Sequence, residues 1–125
     1  MRVLATALSL RRAADATAVL AGDAAIGVTA PPIDFGREVQ PILAEHCLLC
    51  HGVDAEDRKS GLRLDLRVHA LKGGDSGTPA IVPGNLNDSE LIRRITSTDD
   101  DTVMPPPVHN KPLSEPQIET LKQWV

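Results

Sequence analysis

The stretch Cys47-Leu48-Leu49-Cys50-His51-Gly52 decides how the rest of this chain is read. It has the form C-x-x-C-H, the pattern by which a c-type haem is attached covalently to a polypeptide. The chemistry explains the spacing. Each thiol adds across one of the two vinyl groups on one edge of the porphyrin, and residues i and i+3 of a helical turn share a face that meets that edge. The histidine directly after the second cysteine then offers its imidazole to the iron. On this reading Cys47 and Cys50 are the attachment sites of one haem c, and His51 is its first axial ligand.

The same residues admit other readings. A thioredoxin-like C-x-x-C opens a helix after a strand; here the motif closes a stretch of helical periodicity with no strand before it. A zinc site needs about four ligands. The chain offers Cys47, Cys50 and His51 with the scattered His46, His69 and His109, and the adjacent Cys50 and His51 leave a helix end in different directions. A Cys47–Cys50 disulfide in an exported chain that never meets haem would make a haem-free binding module. Zinc and disulfide both stay open at this point.

Composition bounds the rest. At 125 residues the chain is one domain with a tail, and both cysteines lie inside the motif, which leaves no disulfide framework. One Phe, one Trp and no Tyr provide few large side chains for a core. A domain of about 90 residues lies near the size where a core alone is marginal, and a buried macrocycle would fill that centre. The net charge of -4 and the absence of a basic stripe argue against nucleic acid. Arg11-Arg12, Arg58-Lys59 and Arg93-Arg94 are short and read as solvated faces. Asp99-Asp100-Asp101 lacks the alternating ligands of a calcium loop. No apolar run approaches about 18 residues, so no transmembrane helix is expected.

Residues 1–33 read as a leader and a Pro31-Pro32 linker. Arg2 and the small residues at Val28-Thr29-Ala30 suit an export signal, whereas Arg11, Arg12, Asp15 and Asp23 interrupt its apolar part; an export signal and a leader without function both stay open. The domain is expected over residues 34–125. Asp34 caps a helix carrying Phe35, Val39, Ile42 and Leu43 on one face, kinked or restarted at Pro41. Gly52 is expected to turn the chain away through a positive φ. Gly61 to Leu66 alternates and reads as extended, with its leucines facing the haem. Asp65 is expected to cap a short helix through Leu71 that ends at Gly73-Gly74. Asn87 or Asp88 is expected to cap a helix with Leu91, Ile92 and Ile95 on its apolar face. Ser114-Glu115-Pro116-Gln117 is a capping box opening a final helix with Ile118, Leu121 and Val125 on one face. The chain stops inside that helix at Val125, which reads as a truncation.

A haem held by one histidine has a second axial position. Met1 is the initiator, which leaves Met104, 53 residues after His51 (104 minus 51), in a loop between two expected helices. A thioether is a soft neutral ligand, and His/Met ligation raises the potential. Pro105-Pro106-Pro107 behind it favours a stiff, extended segment. His69 and His109 are fallback ligands, read first as surface histidines. Arg63 and Arg94 are the candidate partners for the propionates.

Together these residues resemble the planctomycete-type cytochrome c family. The likeness spans about residues 34–125. It runs through Asp34-Phe35, Val39-Gln40-Pro41-Ile42-Leu43, Cys47 to Gly52, Gly61-Leu62-Arg63-Leu64-Asp65, Gly73 to Gly77 and Ile81-Val82-Pro83-Gly84. Ser89 to Ile95, Met104-Pro105-Pro106 and Leu121 to Val125 complete it. The resemblance implies an all-α, small cytochrome c-like fold wrapped around one haem, with Cys47 and Cys50 as attachment sites and His51 and Met104 as axial ligands. It also implies an N-terminal redox module of a larger, periplasmic or otherwise exported protein. The expected activity is electron transfer to an unnamed redox partner, not enzymatic catalysis. The alternative is a haem enzyme or sensor from which Met104 is displaced.

Overall fold

Asp34 starts the first helical segment as its sequence predicts. Its carboxylate accepts a hydrogen bond from the Arg37 amide at 3.1 Å, and the Glu38 carboxylate accepts one from the Asp34 amide at 2.7 Å. These reciprocal bonds satisfy donors that a helix start leaves without partners. The computed structural model describes residues 31–125, so the export-signal reading lies outside the described residues. Phe35–Val39 winds as a π-helical turn, and α1 follows at Gln40–His46. Of the kink and the restart expected at Pro41, the structure shows the restart, as two successive windings. Pro41 has no N–H and crowds the carbonyl four residues back; the wide turn lets it sit in the first turn of a fresh helix instead. Val39, Ile42 and Leu43 are buried as expected, but Phe35 is 44% exposed. The wider winding takes Phe35 off that face, and its ring tilts onto Trp124 with centroids 5.5 Å apart.

The alternating stretch after the motif forms no strand. Gly61 sits at φ 64 and the chain runs on through bends, without a neighbouring strand to take up its backbone groups. Leu64 is buried and Leu62 packs against the core, but Leu66 is 39% exposed. Helix α2 spans Arg67–Lys72 and ends at Gly73, whose φ of 91 suits glycine alone. A Cβ there would also strike the Thr78 carbonyl. Asp65 does not cap α2. It lies 2.6 Å from the Arg63 guanidinium, a charge-assisted bond stronger than a cap to an amide, and Arg63 holds its carboxyl below the ordinary range.

Helix α3 spans Glu90–Ile95 and buries Leu91, Ile92 and Ile95. Neither Asn87 nor Asp88 caps it. Asp88 accepts instead from the Asn85 side chain at 2.7 Å, and the N-cap position belongs to Ser89. The Ser89 hydroxyl is fully buried and faces backward, accepting from the Val82 amide at 2.8 Å and donating to the Asn85 carbonyl at 2.7 Å. It ties the Ile81–Asn85 turn to the start of α3. A 3-10 turn at Pro107–His109 precedes α4, Glu115–Trp124, which opens with the expected capping box between Ser114 and Gln117.

All regular structure among the described residues is helical, and Ile33–Val125 pack as one unit. α4 packs on the π-helical turn and on α3. The shared core joins Val39, Ile42 and Leu43 to Leu64, Ala70, Ala80, Ile81, the three α3 side chains and Leu121. Leu121 is 0% exposed. Leu121→Ala should therefore lower unfolding stability by about 2–5 kcal/mol in urea titration, the range for truncating a packed leucine. Glu119→Ala, on the exposed side of the same helix, should stay within about 0.5 kcal/mol of wild type.

Candidate haem-binding site

The site starts from backbone hydrogen bonds at the end of α1. The Leu43 carbonyl accepts from Cys47 at 2.8 Å and from Leu48 at 2.9 Å, so winding continues past the last residue of the helix. The Cys47 carbonyl then accepts from Cys50 at 3.2 Å and from His51 at 2.8 Å. The loop that follows folds back over the motif: Lys59 donates to the Cys50 carbonyl at 2.7 Å, and Leu64 donates to the His51 carbonyl at 2.8 Å. Gly52 is buried but does not use a positive φ, contrary to expectation. A Cβ at this position would collide with the Leu48 carbonyl, so glycine is required here for close backbone approach.

This turn forms one wall of a cleft of about 380 Å³, within the range of small-molecule sites. Cys47, Cys50, His51 and Met104 all line it, between apolar surfaces supplied by Leu62, Leu64, Leu91 and Ile95. Both cysteines are free thiols. Burial pushes the Cys47 thiol up to about 11, with the neighbouring Cys50 adding to the rise. Burial lowers the His51 pKa below the ordinary imidazole value; the backbone of Lys59 and Leu62 pulls more weakly the other way. The ring's Nδ1 is buried without a hydrogen bond of good geometry. Neutral imidazole is the form that ligates iron. Two thiols, an imidazole and a thioether on apolar walls fit a flat, mostly apolar macrocycle that carries a metal. Among the described residues no group of three His, Cys, Asp or Glu side chains gathers around a common point, so a closed zinc site has no ligand set.

Met104 reaches the cleft from a loop. It is half-buried, and its amide donates to the Arg94 carbonyl at 3.1 Å. Pro105 and Pro106 line the cleft beside it, whereas Pro107 opens the 3-10 turn and does not extend the stiff segment. His109, read from sequence as a surface histidine, is exposed and also lines the cleft; His69 lies on α2 and does not. Arg94 lines it with Glu90, whose carboxylate accepts from the Arg94 Nε at 2.8 Å. Arg63 is paired with Asp65 and is not part of the lining. The sequence offers His46 only as a scattered zinc-ligand candidate and gives no sign of Glu90 as a site residue; both line the cleft. Only the fold shows that they face the cleft, because a residue's place on a helix does not say which neighbour packs against it.

Residues 47–108 match the family model described as Planctomycete cytochrome C. No curated protein and no solved structure matches the chain.

Two outcomes follow from this geometry. In the folded, haem-free chain, a Cys47 thiol raised from 9.0 to about 11 carries about a hundredth of the usual thiolate at neutral pH. Its alkylation by iodoacetamide should be about a hundredfold slower than in urea, read by peptide mass mapping. Gly52→Ala should cost about 1–3 kcal/mol of stability in urea titration, because the Leu48 carbonyl must move to admit the methyl group.

Proposed function

We propose, from the premise that this chain belongs to the planctomycete cytochrome c family, that residues 34–125 form a monohaem electron-transfer domain. The family implies haem c and electron transfer by it, and its domains are typically exported. The observation that carries the finer reading is the gathering of Cys47, Cys50, His51 and Met104 on one apolar cleft. In this reading Cys47 and Cys50 tether the haem, His51 and Met104 hold the two axial positions, and the domain wraps the ring. A haem bound there supplies a one-electron iron couple.

The side chains then have distinct tasks. His51 is kept neutral by burial, which leaves its ring available to a metal. The Met104 thioether favours the reduced metal and so raises the potential. Leu64, Leu91 and Ile95 exclude water from the walls, which lowers the local dielectric and further disfavours added charge. Leu49 lines the cleft yet is 68% exposed, so part of the mouth faces outward, where a redox partner can approach. With both axial positions filled, the domain carries electrons and does not activate oxygen or peroxide. The leader in residues 1–33 serves export, and the domain acts as the N-terminal redox module of a larger exported protein. No helix among the described residues is long and apolar enough to cross a membrane.

The test is the absorption spectrum of the chain matured in a host that attaches c-type haem. Sharp reduced bands and a weak far-red band in the oxidised form are expected for His51/Met104 ligation. Met104→Ala should keep the haem attached, lose the far-red band and lower the potential; an unchanged potential would sink the ligand assignment. Cys47→Ala or Cys50→Ala should weaken or abolish covalent attachment, seen as loss of the haem mass from the intact protein. Rapid binding of carbon monoxide by the reduced wild type would favour the displaceable-methionine alternative.

A further inference from the structure

His46 stands immediately before the first cysteine, and its side chain is 6% exposed. It lines the cleft and makes two hydrogen bonds. Nδ1 lies 3.0 Å from the Lys111 carbonyl, and Nε2 lies 3.4 Å from the Gln117 side-chain amide nitrogen. Among the described residues, every other side-chain hydrogen bond spans at most eight positions in the chain; these two span 65 and 71. A carbonyl only accepts, so Nδ1 carries the proton. The Gln117 oxygen already accepts from the Ser114 amide at 2.9 Å, so the amide turns its N–H₂ toward His46 and Nε2 accepts. The Glu45 carboxylate is 3.7 Å from the same nitrogen and exposed, beyond hydrogen-bond distance. One ring thus links the thiol-bearing end of α1 to Lys111, beyond the Met104 loop, and to the capping box of α4.

We propose that His46 is a positioning residue, which holds the Met104-bearing segment against the end of α1 at the separation that lets one haem meet both His51 and Met104. It rests on Met104 being the axial ligand. Among the described residues, the one hydrogen bond of Met104 is its amide to the Arg94 carbonyl on α3. The Lys111 end of its loop is the part that His46 controls. Without that tie, thermal motion of the loop shifts population toward molecules in which the sulfur has left the iron.

The variants separate the two contacts. His46→Asn keeps a donor near the Nδ1 position, His46→Gln keeps an acceptor near the Nε2 position, and His46→Phe keeps volume and loses both. Each is made in the full chain and matured with haem. The readouts are the oxidised far-red band and the rate at which carbon monoxide binds the reduced form. Carbon monoxide adds only where Met104 has moved away, so its rate scales with that population. Asn and Gln should each raise the rate about threefold to tenfold, the worth of one hydrogen bond, and Phe should raise it further and weaken the far-red band. Variants with a wild-type rate and band overturn the role of His46 alone. A wild type without the far-red band overturns Met104 ligation and, with it, this role. Should the Phe variant fail to fold, the Asn and Gln rates decide by the same criterion.

Discussion

The carbonyl of Leu43 accepts two amides, and that of Cys47 accepts two more. The site depends on this short run of backbone bonds. It prolongs helical winding for one turn beyond α1, which keeps residues three apart on one face after the helix proper has ended. The Cys50 and His51 carbonyls are then taken by Lys59 and Leu64, so the loop that walls the cleft is fastened to the motif itself. Little freedom remains there. Gly52 lies so close to the Leu48 carbonyl that no side chain fits.

The core that supports this turn is small and aliphatic. Among the described residues its largest fully buried side chains are Leu43, Leu121, Val39 and Ser89, and the Phe35–Trp124 aromatic pair sits at its margin. The helices are short: α2 and α3 have six residues each and α1 has seven. Helices of that length are not stable alone and draw their order from packing. A macrocycle seated between Leu64, Leu91 and Ile95 would add apolar contact where protein atoms are sparse. The proposed cofactor would then be part of the core as well as the redox centre.

Polar side chains fix how the pieces meet. Ser89 fastens the turn at Val82 and Asn85 to α3, Glu90 and Arg94 pair along α3 at the cleft, and His46 joins α1 to the segment after the Met104 loop. The Ser89 and Glu90–Arg94 bonds are half-buried and cost desolvation if broken, so they specify geometry more than they add stability.

Much of this was legible in the chain itself. C-x-x-C-H, the Ser114–Gln117 capping box, the spacing of Leu91, Ile92 and Ile95 and the stop at Gly73 are local patterns, set by helix periodicity and by the hydrogen bonds that helix ends require. The Phe35–Val39 winding, the backward-facing Ser89, the Arg63–Asp65 pair in place of a cap and the reason for Gly52 were not legible. Each depends on which of several nearby groups wins a partner, and that contest is settled by packing. The sequence by itself determined which atoms suit a haem and where most helices begin and end. Only the tertiary structure decided that Cys47, Cys50, His51 and Met104 share a cleft, because the burial of apolar side chains far apart in the chain brings residues 47–51 and 104 together.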